Sequence, residues 1–238
     1  MKSYLFRFAR SPYATYFMGF AFEYLTSLMP IRRLFEDRNV IAFPHPVPFW
    51  QSHSLIVPKR AIPTFASVNF SDSEASERIL HILHTAQALA RKQRLNEYTV
   101  LVNGGAYQDV PQLHFHLASG IRKDGVPMYQ EENITAPDGS YLSQLGNAAS
   151  LEHPKPVRQF HRLLIALDQT PDMALLDFFM PEQRATLVDL LTLAQQAVKG
   201  EKLDRYTLLA NVTEKELRGE CLEGRLQFHL VSGDTTLV

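Results

Sequence analysis

The sequence holds a single cysteine, Cys221, among 238 residues. An intrachain disulfide is therefore excluded, and so is a cysteine-rich zinc site. One thiol is compatible with a reducing cytoplasm, where the chain is expected to reside. A surplus of positive charge is also missing: 24 Lys+Arg stand against 25 Asp+Glu, a formal net charge of −1. Bulk nucleic-acid binding needs such a surplus to neutralise phosphates, so no nucleic-acid partner is expected. With 45% hydrophobic and 21% charged residues, disordered and collagen-like classes are out. The length allows one large domain or two of roughly 100–120 residues.

Residues 11–30, SPYATYFMGFAFEYLTSLMP, carry Glu23 as their one charge. Ser11 can cap a helix, Pro12 suits its first turn and Pro30 can stop it. No small-residue cleavage site ends the run, which argues against a secretory signal. Glu23, Gly19, Thr15 and the interleaved tyrosines are poor choices for a lipid centre. The expectation is a helical extension over 1–38 that packs on protein. Peripheral membrane contact through the same helix is the alternative.

What the sequence does contain is a copy of part of itself. His45-Pro46-x-Pro48-x-x-Gln51-x-His53 recurs as His153-Pro154-x-Pro156-x-x-Gln159-x-His161, and Tyr98-Thr99-x-Leu101-x-Asn103 as Tyr206-Thr207-x-Leu209-x-Asn211. Further on, Leu113-His114-Phe115-His116-Leu117-Ala118-Ser119-Gly120 meets Leu226-Gln227-Phe228-His229-Leu230-Val231-Ser232-Gly233. Order, spacing and residue type recur together, so the sequence reads as an internal duplication. Each half predicts two strands (39–43 and 54–58; 147–151 and 162–167) and then a helix. Ile79, Leu80, Leu83, Ala86, Gln87 and Ala90 mark the first helix; Leu187, Val188, Leu191, Ala194 and Gln195 mark the second. Two β segments close each half, 98–103 with 112–119 and 206–211 with 225–232. The class is α+β with antiparallel sheets and packed helices, as two tandem units forming a pseudo-twofold dimer within one chain. The expected divisions are 1–38, 39–120, a linker over 121–146, and 147–238.

The chemistry gathers around Gln112-Leu113-His114-Phe115-His116-Leu117. On a strand, residues two apart share a face, so Gln112, His114 and His116 are expected together while Leu113, Phe115 and Leu117 enter the core. The preceding loop, Asn103-Gly104-Gly105-Ala106-Tyr107-Gln108-Asp109, is small enough for its amides to approach an anion. Imidazoles beside such a loop suit phosphoryl or nucleotidyl transfer. Metal ligation by two strand histidines would need a third ligand from His53, His45 or a carboxylate; no acidic or cysteine cluster surrounds them, and neither metal nor cofactor is expected. His81 and His84 read as surface residues of the helix, and Phe49 and Trp50 as loop packing.

These residues resemble the histidine triad family of nucleotide hydrolases and transferases, whose strand motif alternates three histidines with apolar residues. The upstream family segment appears here as Phe43-Pro44-His45-Pro46-Val47-Pro48, then His53-Ser54-Leu55-Ile56-Val57-Pro58-Lys59-Arg60-Ala61. The resemblance covers 39–120, and 147–233 through the repeat. It implies that His114 is the nucleophile and forms a nucleotidyl-histidine. It implies that His116 and His53 assist in binding, orientation and proton handling. Asn103, Gly105, Gln108 and Gln112 would line the phosphate pocket, with His45 at the usual ribose position. The implied partner is a nucleotide or another phosphorylated small molecule. The chain departs from the family in having Gln112 for the first triad histidine, His45 for an acidic residue and Ala61 for a final histidine. The repeat places Gln227 where His114 stands, so the second half is expected to be catalytically silent. A non-catalytic nucleotide-binding protein and a membrane-peripheral scaffold are the competing classes.

Overall fold

A computed structural model describes residues 31–123, 141–212 and 225–235. The 11–30 segment and Cys221 lie outside the described residues. Among those described, no helix is long and apolar enough to cross a membrane.

The first half contains β1 (Phe35–Glu36), β2 (Val40–Pro44), β3 (Trp50–Pro58), α1 (Ser73–Lys92), β4 (Tyr98–Gly105) and β5 (Phe115–Arg122). The second contains β6 (Ser143–Leu145), β7 (Ala148–Glu152), β8 (Arg158–Ala166), α2 (Pro181–Gly200), β9 (Arg205–Val212) and β10 (Gln227–Thr235). Two sequence boundaries shift. Strand β1 pairs with β2 inside the expected helical extension, and the expected linker over 121–146 takes up the end of β5 and all of β6. Strands β1 and β6, of two and three residues, are too short to carry a periodic signal.

All ten strands form one antiparallel sheet in the order β1-β2-β3-β5-β4-β9-β10-β8-β7-β6. That order reads alike from both ends about the β4–β9 pair. Helix α1 begins because the Asp72 side chain accepts the Glu74 N–H, and α2 begins with Pro181 in its first turn. The apolar stripes of both helices join one core with Ile56, Val100, Phe115, Leu117, Leu164, Leu208 and Leu230. Alternation along each strand sends the neighbours of these residues to the opposite face: His53 on β3, His116 on β5, His161 on β8 and His229 on β10. The helices thus occupy one side of the sheet, and the histidines line the other.

Two buried glutamines connect the halves. Gln87 Nε2 on α1 donates to the carbonyls of Met173 and Leu176, each at 2.9 Å, and to Ala174 at 3.2 Å. Gln195 Nε2 on α2 donates to those of Phe65 and Val68, at 3.1 and 2.6 Å. Each glutamine thereby ties its helix to backbone carbonyls of the other half.

Candidate active site

The helix-free face places His53 and His116 side by side, their Nε2 and Nδ1 atoms 2.9 Å apart. Proton positions follow from the neighbours. The Phe49 N–H donates to His53 Nδ1 at 3.2 Å, so that nitrogen carries the lone pair. His53 must then hold its proton on Nε2 and donate it to His116 Nδ1. His116 in turn carries its own proton on Nε2, which is buried and makes no hydrogen bond. A buried N–H without a partner is a donor held ready for an acceptor.

His45, in the β2–β3 loop, stacks flat on His53 with ring centroids 4.2 Å apart and planes 7° apart. Its Nδ1 accepts the Val47 N–H at 3.1 Å, so its Nε2 is also an N–H donor. The Trp50 ring stands edge-on to His53 at 4.8 Å and Phe49 edge-on to His45 at 6.0 Å, so both aromatics wall the histidine cluster.

His114 is the odd member. Its Nδ1 lies 2.7 Å from the carbonyl oxygen of Gln112. A carbonyl can only accept, so the His114 proton is on Nδ1 and the Nε2 lone pair is free. Its ring centre is 5.0 Å from that of His116. The first half therefore presents one nucleophilic lone pair and two imidazole N–H donors. Burial, which penalises the charged form, is the main reason these imidazoles are neutral. It lowers His53 to about 3, helped by His45 and His114, and it takes His116 well below the ordinary histidine range. It lowers His114, against the pull of the Gln112 carbonyl, and lowers His45 as well.

The remaining sequence candidates separate. Asn103, at the end of β4, stands one residue beyond the Val102–Phe115 pair and so beside His114. The expected strand begins only at Phe115, so His114 lies just before it, and so does Gln112. Its Nε2 donates to the carbonyls of Pro58 and Arg60, both at 3.0 Å, which uses both amide hydrogens. Gln108 is used in the same way by Pro63 and Val110, at 2.7 and 2.8 Å. The glycine loop is not an open amide cradle either. The N–H groups of Ala106, Tyr107 and Gln108 donate to the carbonyls of Asp204, Gly104 and Gly105. Gly105, at φ +59°, is required because a Cβ would lie 1.9 Å from the Asp204 carbonyl oxygen. Its role is close approach of β4 to the second half, and Tyr107 adds a 3.0 Å hydrogen bond to the Gly233 carbonyl. On the helix, His81 pairs with Asp37 at 2.6 Å and His84 stacks on Phe178, so neither is a plain surface residue.

The second half repeats the cluster with Gln227 in the place of His114. His161 Nε2 is 3.1 Å from His229 Nδ1, His153 stacks on His161 at 3.8 Å and 8°, and Val157 N–H donates to His161 Nδ1. Three imidazoles gather in each half, their nearest ligand atoms within 4.8 Å of one another. They are a poor metal set, because hydrogen bonds occupy both nitrogens of His53 and both of His161, and stacked rings cannot aim lone pairs at one ion.

A HIT domain model matches residues 28–122. An uncharacterized HIT-like protein of Methanocaldococcus jannaschii is 30% identical over 99 residues, 41% of this chain and 74% of that one. The chain belongs to the HIT family. Among solved structures, an ADP-glucose phosphorylase from Arabidopsis thaliana with bound ADP-glucose covers 92% of this chain and 82% of its own, with a TM-score of 0.62 and 11% identity. A GalT-like protein from the same plant gives 0.57 at 12% identity, covering 92% and 83%. At such identity these two describe the fold, and they extend over nearly the whole HIT-family chain, whereas the family model stops at 122.

Proposed function

We propose that this HIT protein is a nucleotide phosphohydrolase or nucleotidyltransferase that works through a covalent nucleotidyl-histidine on His114. The observation that carries the reading is the hydrogen bond from His114 Nδ1–H to the Gln112 carbonyl, which leaves on Nε2 a lone pair that no hydrogen bond among the described residues occupies. In the reaction Nε2 attacks the phosphorus, the bond to the leaving group breaks, and the Nδ1 proton stays against the Gln112 carbonyl as the ring becomes cationic. Donors from His116 Nε2 and Asn103 Nδ2 take the non-bridging oxygens. Water, or a second phosphate, then attacks the same phosphorus from the side opposite His114, the phosphorus–nitrogen bond breaks and His114 leaves as a neutral ring; where water attacks, its proton passes to solvent.

Gln112 cannot supply a proton to the leaving group, since an amide does not titrate. Substrates whose leaving group departs as a stable anion, such as a phosphate or sugar phosphate, are therefore favoured over amines and alkoxides. A nucleotide-sugar or dinucleoside polyphosphate fits, in line with the ADP-glucose bound by the Arabidopsis neighbour. His45 offers an N–H where a carboxylate would offer an acceptor, so contact with a ligand oxygen is preferred to contact with a ribose hydroxyl proton.

In this reading the chain comprises two HIT-like units, 39–120 and 147–238, joined by 121–146, and the second unit braces the loop of the first. Its setting is cytoplasmic and its partner a phosphorylated small molecule. Turnover and binding should be measured separately on ADP-glucose, dinucleoside polyphosphates and nucleoside phosphoramidates. Faster turnover of the phosphate-leaving substrates supports the proposal. Tight binding with no turnover on any of them replaces it with a non-catalytic nucleotide-binding protein.

A further inference from the structure

The β4–β9 pair carries the same side-chain contact twice, in opposite senses. Thr207 Oγ1 donates to Asn103 Oδ1 at 2.7 Å, and Thr99 Oγ1 donates to Asn211 Oδ1 at 2.7 Å. Both contacts join directly paired residues, Asn103 with Thr207 and Thr99 with Asn211. A carboxamide whose oxygen is fixed has its nitrogen fixed too, because the two atoms leave one planar carbon in different directions. Asn103 Nδ2 therefore turns away from Thr207 and makes no hydrogen bond among the described residues. The equivalent Nδ2 of Asn211 is buried and unpartnered.

The two contacts are alike as structure and differ in their neighbours. Continuing the Val102–Phe115 register by one residue brings Asn103 level with His114, and continuing the Leu209–His229 register by two brings Asn211 level with Gln227. We propose that Thr207, a residue of the second half, is a positioning residue for the first-half site: it holds the Asn103 amide so that the NH2 group faces the phosphate attached to His114. Released from Thr207, the amide is free to turn over and present its oxygen to an anion, which replaces attraction by repulsion. The second half then completes the site as well as bracing its loop. The inference rests on the proposal that His114 receives a phosphoryl group.

The test compares Thr207→Val, Thr207→Ser and Thr99→Val in the full chain. The readouts are kcat and KM on the best substrate of the panel, the affinity for AMP by calorimetry, and thermal stability. Thr207→Val and Thr99→Val remove equivalent hydrogen bonds from one strand pair, so their Tm losses should match. Thr207→Val should lower kcat/KM by about 10- to 100-fold and weaken AMP by about 10-fold, the worth of a hydrogen bond to a charged group. Thr207→Ser should recover most of both, and Thr99→Val should stay within about twofold of wild type. Equal activity and equal AMP affinity in the two valine variants overturn the inference and leave the His114 reading intact. If the wild type turns over nothing, the AMP arm decides: selective weakening by Thr207→Val supports the positioning role, and unchanged affinity overturns it. A wild type that neither turns over a substrate nor binds AMP overturns both proposals.

Discussion

At the scale of the residue, the two halves differ most where chemistry would occur. His114 and Gln227 occupy corresponding places, and the imidazole alone can attack phosphorus. His114→Ala should lower turnover by roughly three orders of magnitude or more while circular dichroism stays native, and intermediate trapping should label His114 in the wild type. Full turnover by that variant, or an adduct in the second half, would reject the assignment. His229→Ala is the counterpart. It leaves His161 Nε2 without its 3.1 Å partner in a buried setting, so stability should fall by about 1–3 kcal/mol in denaturant titration. Turnover of the folded fraction should remain within about twofold of wild type.

At the scale of the element, strands β4 and β9 meet so closely that side chains are excluded from one of them. A Cβ on Gly104 would lie 2.0 Å from the Tyr206 ring, which is itself buried and holds the Ala66 N–H through its hydroxyl at 3.1 Å. The ring cannot step aside without breaking that bond. Gly104→Ala should cost about 1–3 kcal/mol, and a variant as stable as wild type in urea would show that the seam is looser than drawn. The helices are tied in a second way. Gln87 serves three carbonyls of the other half and Gln195 two, so each helix stabilises a loop it does not belong to. Gln87→Leu keeps the volume and removes every donor. It should lower stability by about 1–3 kcal/mol, with amide exchange accelerated at residues 173–176.

For the whole molecule, the buried imidazoles couple folding to pH. His53, His161 and His229 are held at about 3 in the folded chain, chiefly by burial, against about 6.5 when unfolded. Between those values the unfolded chain binds more protons than the folded one. Stability is therefore fully present above pH 6.5 and falls as pH drops toward 3, with a limiting slope of about 1.4 kcal/mol per pH unit for each histidine. Urea midpoints measured at pH 7.5, 6.5, 5.5 and 5.0 should be level at first and then decline. A flat profile down to pH 5 would contradict the neutral, buried state of these three histidines.

The sequence by itself determined the elements and the residues that matter. The 3.6-residue stripe from Ile79 to Ala90 located α1, the alternation around Phe115 and Leu117 put His116 opposite the core, and the recurring His-Pro-x-Pro segment matched two halves before any contact was known. These are local patterns, set by backbone periods of 3.6 and 2 that a linear string carries. Tertiary structure decided which atoms remain free. Gln108 and Gln112 read as pocket donors, yet their hydrogens go to backbone carbonyls, those of Pro63 and Val110 and of Pro58 and Arg60, several of them dozens of residues away. The glycine loop read as an anion cradle, yet Asp204, a hundred residues on, approaches it so closely that glycine is needed for space. The hydrogen bond of His53 with His116, and that of Thr207 with Asn103, exist only once distant strands pair. Hydrogen-bond partners depend on positions in space fixed to a fraction of an ångström, and residue spacing along a chain does not record them.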